Sequence, residues 1–277
     1  MSPESATVTS KDGTIISFEQ SGAGPALIVV SAALADHSGT AKLAGLLAAD
    51  FTVINYDRRG RGQSGDTQPY APQREIEDIA ALIDAAGGRA FLLGSSSGAV
   101  LALDAAAELG ASVGGVFLYE PPFITDGSRP PVPGGLGDEA AQLVSAGRRN
   151  EAVKLFFTKG MGMPAVAVTM MRLFMPGWSK MAAIAHTIPY DLAVLADTQS
   201  GNPLPADRWF GVEAPVLVAV GSKSPKFFHD GAERLAALLP GTTYRSLPGE
   251  SHASVMMRPK GIAATARDFF LNNATRS

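Results

Sequence analysis

The pentapeptide Gly94-Ser95-Ser96-Ser97-Gly98 sets a serine hydroxyl between two glycines, the spacing at which a sharp strand-to-helix turn lifts its central residue clear of the backbone. Glycine is required at both ends because such a turn brings chain segments too close for a Cβ. Composition alone yields this pattern in about one chain in ten of this length, so the flanking sequence has to supply the specificity. Ala90 to Leu93 reads as a short buried strand, and Ala99 to Leu109 reads as a helix with Leu101, Ala105 and Leu109 on one face. Ser96 is therefore the candidate nucleophile, and its hydroxyl needs a general base to act as one.

Four histidines are available. His37 and His229 fall in or before helices flanking a sheet, and His186 lies in an irregular middle stretch. His252 ends the loop Leu247-Pro248-Gly249-Glu250-Ser251-His252 after the last strand-like run, where the chain order nucleophile, acid, histidine places the base. The acid is less conventional. Gly221-Ser222-Lys223-Ser224-Pro225 follows the strand Val216 to Val220, but carries Ser224 where an aspartate commonly stands, and a neutral serine cannot stabilise an imidazolium. Glu120 closes the preceding strand, Val113 to Tyr119, and its longer side chain could reach His252 from there; Asp126, Asp191 and Asp197 remain as alternatives. For the oxyanion of a tetrahedral intermediate, the N–H of Ser97 is polarised by its helix start, and the Ala33 N–H in Ser31-Ala32-Ala33-Leu34 is the second candidate donor.

These residues need a scaffold, and the chain patterns one. Ala26 to Val30, Phe51 to Tyr56, Ala90 to Leu93, Val113 to Tyr119 and Val216 to Val220 are short apolar runs bounded by turn residues, as buried parallel strands are. Helical periodicity lies between them, with Ile76, Ile79, Leu82 and Ile83 on one face, so a mostly parallel sheet wrapped by helices is predicted. Asp12-Gly13 predicts a hairpin of Ala6 to Ser10 with Thr14 to Glu19. The alternation lapses from Pro121 to about Asn202, which predicts a core in two parts, 1–120 and 203–277, with a helical cap over 121–202 inserted after the sixth strand. The cap region holds six of the nine methionines and Trp178. Those side chains either pack the insertion onto the core or line an adaptable apolar pocket.

Composition narrows the function classes. A formal charge of −3 over 277 residues offers no basic field for nucleic acid. The absence of cysteine excludes disulfides, thiolate metal sites and a cysteine nucleophile. No metal or cofactor motif is read, since Asp57-Arg58-Arg59-Gly60-Arg61-Gly62-Gln63-Ser64 lacks the Gly-Lys-Ser/Thr of a P-loop; a loop held by charge-assisted hydrogen bonds is the better reading of its arginines than anion binding. The first ten residues lack a secretory layout and no run reaches a membrane span, so a cytoplasmic protein is expected. Monomer and homodimer both stay open.

Taken together, the serine elbow, the loop histidine, the Asp-Arg-Arg-Gly-Arg-Gly turn after the fourth strand and the inserted cap resemble the α/β-hydrolase superfamily over essentially the whole chain. Shorter matches resemble lactone hydrolases of the zearalenone-hydrolysing type: Phe18 to Pro25, the serine-rich elbow, Glu120-Pro121, Met175-Pro176-Gly177-Trp178, Thr187-Ile188-Pro189 and Val220 to Pro225 with Phe227-Phe228. That resemblance implies a triad of Ser96, His252 and Glu120, hydrolysis of a small apolar ester or lactone without a cofactor, and substrate contact at Trp178, with Met175 and Leu34 beside it. Many relatives carry His-Gly where this chain has Ser31-Ala32. The rival enzymatic readings are a carbon-carbon bond hydrolase or a perhydrolase on the same machinery, and the non-enzymatic one is a ligand-binding protein on this fold. Reaction of Ser96 with a fluorophosphonate probe separates the enzymes from the binder.

Overall fold

A computed structural model describes residues 3–274. Eight strands form one sheet: β1 (Glu4–Thr9), β2 (Ile15–Ser21), β3 (Ala26–Val30), β4 (Thr52–Tyr56), β5 (Ala90–Ser95), β6 (Val113–Tyr119), β7 (Val216–Gly221) and β8 (Thr242–Leu247). Their spatial order is β1-β2-β4-β3-β5-β6-β7-β8. β1 and β2 form the antiparallel hairpin set by Asp12-Gly13, β2 joins β4 antiparallel, and all neighbours from β4 to β8 are parallel.

The helices are α1 (Ala41–Leu47), α2 (Pro72–Ala85), α3 (Ser97–Leu109), α4 (Leu136–Ser145), α5 (Arg149–Leu155), α6 (Ala165–Phe174), α7 (Trp178–Ala183), α8 (Ile188–Val194), α9 (Lys226–Leu238), α10 (Ser254–Met257) and α11 (Lys260–Ala274). Strand side chains alternate between faces, and β3 shows the result. Leu27 and Val29 pack with α1 and α11, through Leu43, Leu47, Ile262 and Phe270. Ile28 and Val30 pack on the other face with α2, α3 and α9, through Ile79, Leu101 and Leu235. A sheet covered on both faces explains why its central strands read as unbroken apolar runs rather than alternating ones.

Helices α4 to α8 lie between β6 and β7 and close a third apolar cluster, which includes Leu136, Val153, Phe156, Val168, Trp178 and Ile188. Leu34, from the loop after β3, packs into the same cluster and joins this helical segment to the sheet's carboxyl edge. A second joint is ionic. Asp191 on α8 is fully buried and accepts hydrogen bonds from Arg58 (2.8 Å), Arg61 (2.7 Å) and the Ser97 hydroxyl (2.7 Å). Arg58 also pairs with Glu75, and Arg59 with Asp78 and Asp12. All three arginines after β4 are thus consumed by buried carboxylates, which is the structural role read from their sequence. Burial opposes the Asp191 charge, but Arg61, Arg58 and Ser97 outweigh it and hold that carboxyl below the usual carboxylate range.

Candidate active site

The β5–α3 turn has the strained form that its sequence predicts. Ser96 has φ 53° and ψ −122°, and its N–H donates to the Tyr119 carbonyl at 2.9 Å. A Cβ on Gly94 would lie 2.2 Å from the Gly98 carbonyl oxygen, and one on Gly98 would lie 2.4 Å from that of Ser31. Only glycine lets β3, β5 and α3 approach this closely. The turn presents Ser96 at the sheet's carboxyl edge, with the first N–H groups of α3 behind it and no intrahelical acceptor for them. The Ser97 hydroxyl, held by Asp191, anchors that helix start.

One strand over, Glu120 leaves β6 with φ 52°, an unusual conformation for a side-chain-bearing residue, and is fully buried. Its Oε2 lies 2.7 Å from Nδ1 of His252. Its Oε1 accepts the Gly221 N–H at 2.7 Å and the Ser224 hydroxyl at 2.6 Å. The carboxylate is therefore clamped on one oxygen and offered to the imidazole on the other. The sequence singled out Ser224 for the charge it lacks, whereas the structure gives it a different job, holding the Glu120 carboxylate that faces His252. Among the alternatives, Asp191 is committed to Arg58, Arg61 and Ser97, and Asp126 accepts the Ser128 N–H.

His252 follows β8 in a loop whose Ser251 carbonyl accepts the Tyr119 hydroxyl at 2.8 Å. Phe228 stacks on the imidazole with centroids 4.9 Å apart and planes at 22°, which fixes the ring's tilt. Tyr119 and Phe228 belong to the site's support, and sequence reasoning missed both roles. The signals were their position, one residue before Glu120 and three after Pro225, and for Phe228 its place in the Phe227-Phe228 match.

Ser96 opens on a tight, nearly closed cleft whose lining includes Ala33, Ser97, Phe156, Met161, Phe227 and Phe228. Both expected oxyanion donors, the N–H groups of Ala33 and Ser97, thus belong to residues bordering the same cleft as Ser96. The expected substrate contacts do not. Trp178, Met175 and Leu34 are absent from its lining and sit in or against the apolar cluster of the helical segment. Trp178 is buried there, tilted against Phe157 at 6.1 Å, with its indole N–H satisfied by Asn150 at 2.8 Å. Its polar handle and its rings already have partners, so it packs the segment, and the apolar wall toward Ser96 falls to Phe156, Met161, Phe227 and Phe228. Among the described residues, no group of three or more histidines and carboxylates is arranged to hold a metal ion.

A doubly covered sheet with a nucleophile elbow after its fifth strand defines an α/β hydrolase, and residues 27–265 match the model of the alpha/beta hydrolase family, so the chain belongs to that family. An alpha/beta hydrolase from Sphaerobacter thermophilus DSM 20745 is 46% identical and superposes with a TM-score of 0.88, covering 96% of this chain and all of that one. The enol-lactonase from Burkholderia xenovorans LB400 shares the fold at 21% identity and a TM-score of 0.70, over 96% of this chain and all of that one. A 1H-3-hydroxy-4-oxoquinoline 2,4-dioxygenase of Pseudomonas putida is 35% identical over 105 residues, 36% of this chain and only 40% of the dioxygenase. No helix of the described residues is long and apolar enough to cross a membrane.

Proposed function

We propose that this protein hydrolyses a carboxylic ester or lactone through an acyl-enzyme, with Ser96 as nucleophile, His252 as general base and Glu120 as the acid of the triad. The observation that carries this reading is the buried Glu120 carboxylate, 2.7 Å from His252 Nδ1 and clamped from behind by Gly221 and Ser224. That geometry fixes the neutral tautomer, with the proton on Nδ1 and the lone pair of Nε2 free to take a proton from Ser96. Attack of Oγ on the substrate carbonyl puts negative charge on its oxygen, which accepts hydrogen bonds from the Ser97 and Ala33 N–H groups. The imidazolium, stabilised by Glu120, returns its proton to the leaving alkoxide. A water activated by His252 then releases the acid and frees Ser96.

The apolar wall of Phe156, Met161, Phe227 and Phe228 supports an apolar portion in the substrate. The dispersed matches to zearalenone-hydrolysing enzymes support a lactone as one form of it. The helical segment between β6 and β7 acts as the cap over this cleft, contributing Phe156 and Met161. The test is labelling by a fluorophosphonate probe together with hydrolysis of aryl esters and macrolactones, comparing wild type with Ser96→Ala. Labelled wild type, unlabelled Ser96→Ala and a kcat loss on the order of 10⁴ to 10⁶ are expected. An unlabelled wild type that still binds ligands would make it a binding protein on a hydrolase fold.

A further inference from the structure

The non-exposed arginines of this protein share a habit with one exception. Arg58, Arg59, Arg61, Arg74 and Arg208 each pair with a carboxylate at 2.8 Å or less. Arg129 is only partly exposed yet has no carboxylate within ion-pairing distance among the described residues. It lies between β6 and α4 and lines the Ser96 cleft. Its guanidinium stands over the Phe227 ring at 4.8 Å from the centroid and donates to the Gly160 carbonyl. Phe227 lies tilted against Phe228 with centroids 4.1 Å apart, and Phe228 stacks on His252, so the guanidinium belongs to the same wall as the catalytic imidazole. Asp126, three residues away in the chain, accepts the Ser128 N–H, and Glu139 pairs with Lys159.

A guanidinium carries five N–H donors in a planar fork, and removing it from water without a counter-charge is costly. Burial alone pulls the Arg129 pKa below its usual range, and no neighbouring carboxylate pushes it back. The Gly160 carbonyl takes one of those donors and the Phe227 ring one face, which leaves further N–H groups of the fork for an anion in the cleft. A carboxylate matches the fork in a bidentate arrangement.

Resting on the acyl-transfer reading of Ser96, we infer that Arg129 is a specificity-determining residue that receives a carboxylate of the substrate, so that the protein acts on anionic esters or lactones, apolar in the middle and charged at the end away from the scissile bond.

Two aryl esters of equal chain length test this: mono-p-nitrophenyl glutarate, which ends in a carboxylate, and p-nitrophenyl pentanoate, which ends in a methyl. Wild type is expected to favour the glutarate ester in kcat/KM. Arg129→Met is expected to lower the glutarate-to-pentanoate ratio about 10- to 100-fold, the worth of one hydrogen-bonded charge pair, and Arg129→Lys to retain part of it. An Arg129→Met enzyme that loses activity on both esters alike, or a wild type with no preference, overturns the inference and leaves Arg129 a packing residue. Calorimetric binding of glutarate to Ser96→Ala and to the Ser96→Ala/Arg129→Met double variant reads the anion site without turnover. Glutarate bound only with Arg129 present supports the inference even if neither ester is hydrolysed, an outcome that would refute the acyl chemistry alone. Pentanoate turnover without glutarate binding overturns the inference and leaves the acyl chemistry standing.

Discussion

Replacing Glu120 by glutamine changes one oxygen to an NH₂ group and little else, so its effect can be worked from the hydrogen bonds around it. The amide has two orientations. With NH₂ toward Gly221, it meets a backbone N–H that cannot turn away, although the Ser224 hydroxyl can rotate to accept. Leaving that buried N–H unpaired costs about 1 to 3 kcal/mol, which disfavours the orientation about 5- to 150-fold. The other orientation points NH₂ at His252 Nδ1, which must then offer its lone pair and carry the proton on Nε2, the nitrogen that has to accept from Ser96. The small population with the productive tautomer also loses the charge-assisted bond to the imidazolium, a further factor of about 10 to 150. The product centres on the order of 10³ and reaches 10⁴ in kcat, in line with the general cost of neutralising a triad acid. Stopped-flow hydrolysis of p-nitrophenyl acetate separates the acylation burst from steady turnover, and circular dichroism confirms that the near-isosteric variant keeps its fold. A Glu120→Gln enzyme within tenfold of wild type in acylation would refute the role assigned to Glu120.

Ser224→Ala removes one of the two donors that clamp Oε1, and a kcat loss on the order of tenfold is expected with KM little changed; a loss in KM alone would assign Ser224 to substrate contact. Asp191→Asn leaves Arg58 and Arg61 short of a buried counter-charge, which should cost about 3 to 5 kcal/mol and lower Tm by on the order of 10 °C in calorimetry. Because the Asp191 carboxyl is held below its usual range, its contribution is present above the unfolded value near 4 and fades as pH falls, so the gap between wild type and variant should narrow in acid. His37 shows the opposite sign. Burial opposes its charge, but the hydrogen bond and charge of Asp57, with Glu19, raise its pKa. His37→Gln should therefore lower Tm most below the unfolded value of about 6.5, with the difference shrinking as pH rises through the raised folded value. A Tm difference that grows with pH would contradict that pairing.

The sequence by itself determined the strand and helix elements and the turn that carries Ser96. The parallel strands were legible because a sheet buried on both faces demands unbroken apolar runs, and the elbow because its glycines answer a contact made within a few residues and at the adjacent β3. The assignment of Glu120 also came from local pattern, since one acid ends a strand beside the elbow and the usual position carries Ser224. What only the tertiary structure decided are relations between residues far apart in the chain. Ser224 supports Glu120 across 104 residues, Asp191 reaches back 133 to Arg58, and Trp178 finds Asn150 inside the helical segment rather than the cleft. Serine, aspartate and tryptophan each admit several roles, and the one taken depends on which partner the fold places within 3 Å. The same holds for Arg129, which one-dimensional pattern cannot distinguish from a surface arginine. Its separation from every described carboxylate, beside the Ser96 cleft, is a property of packing and not of spacing along the chain.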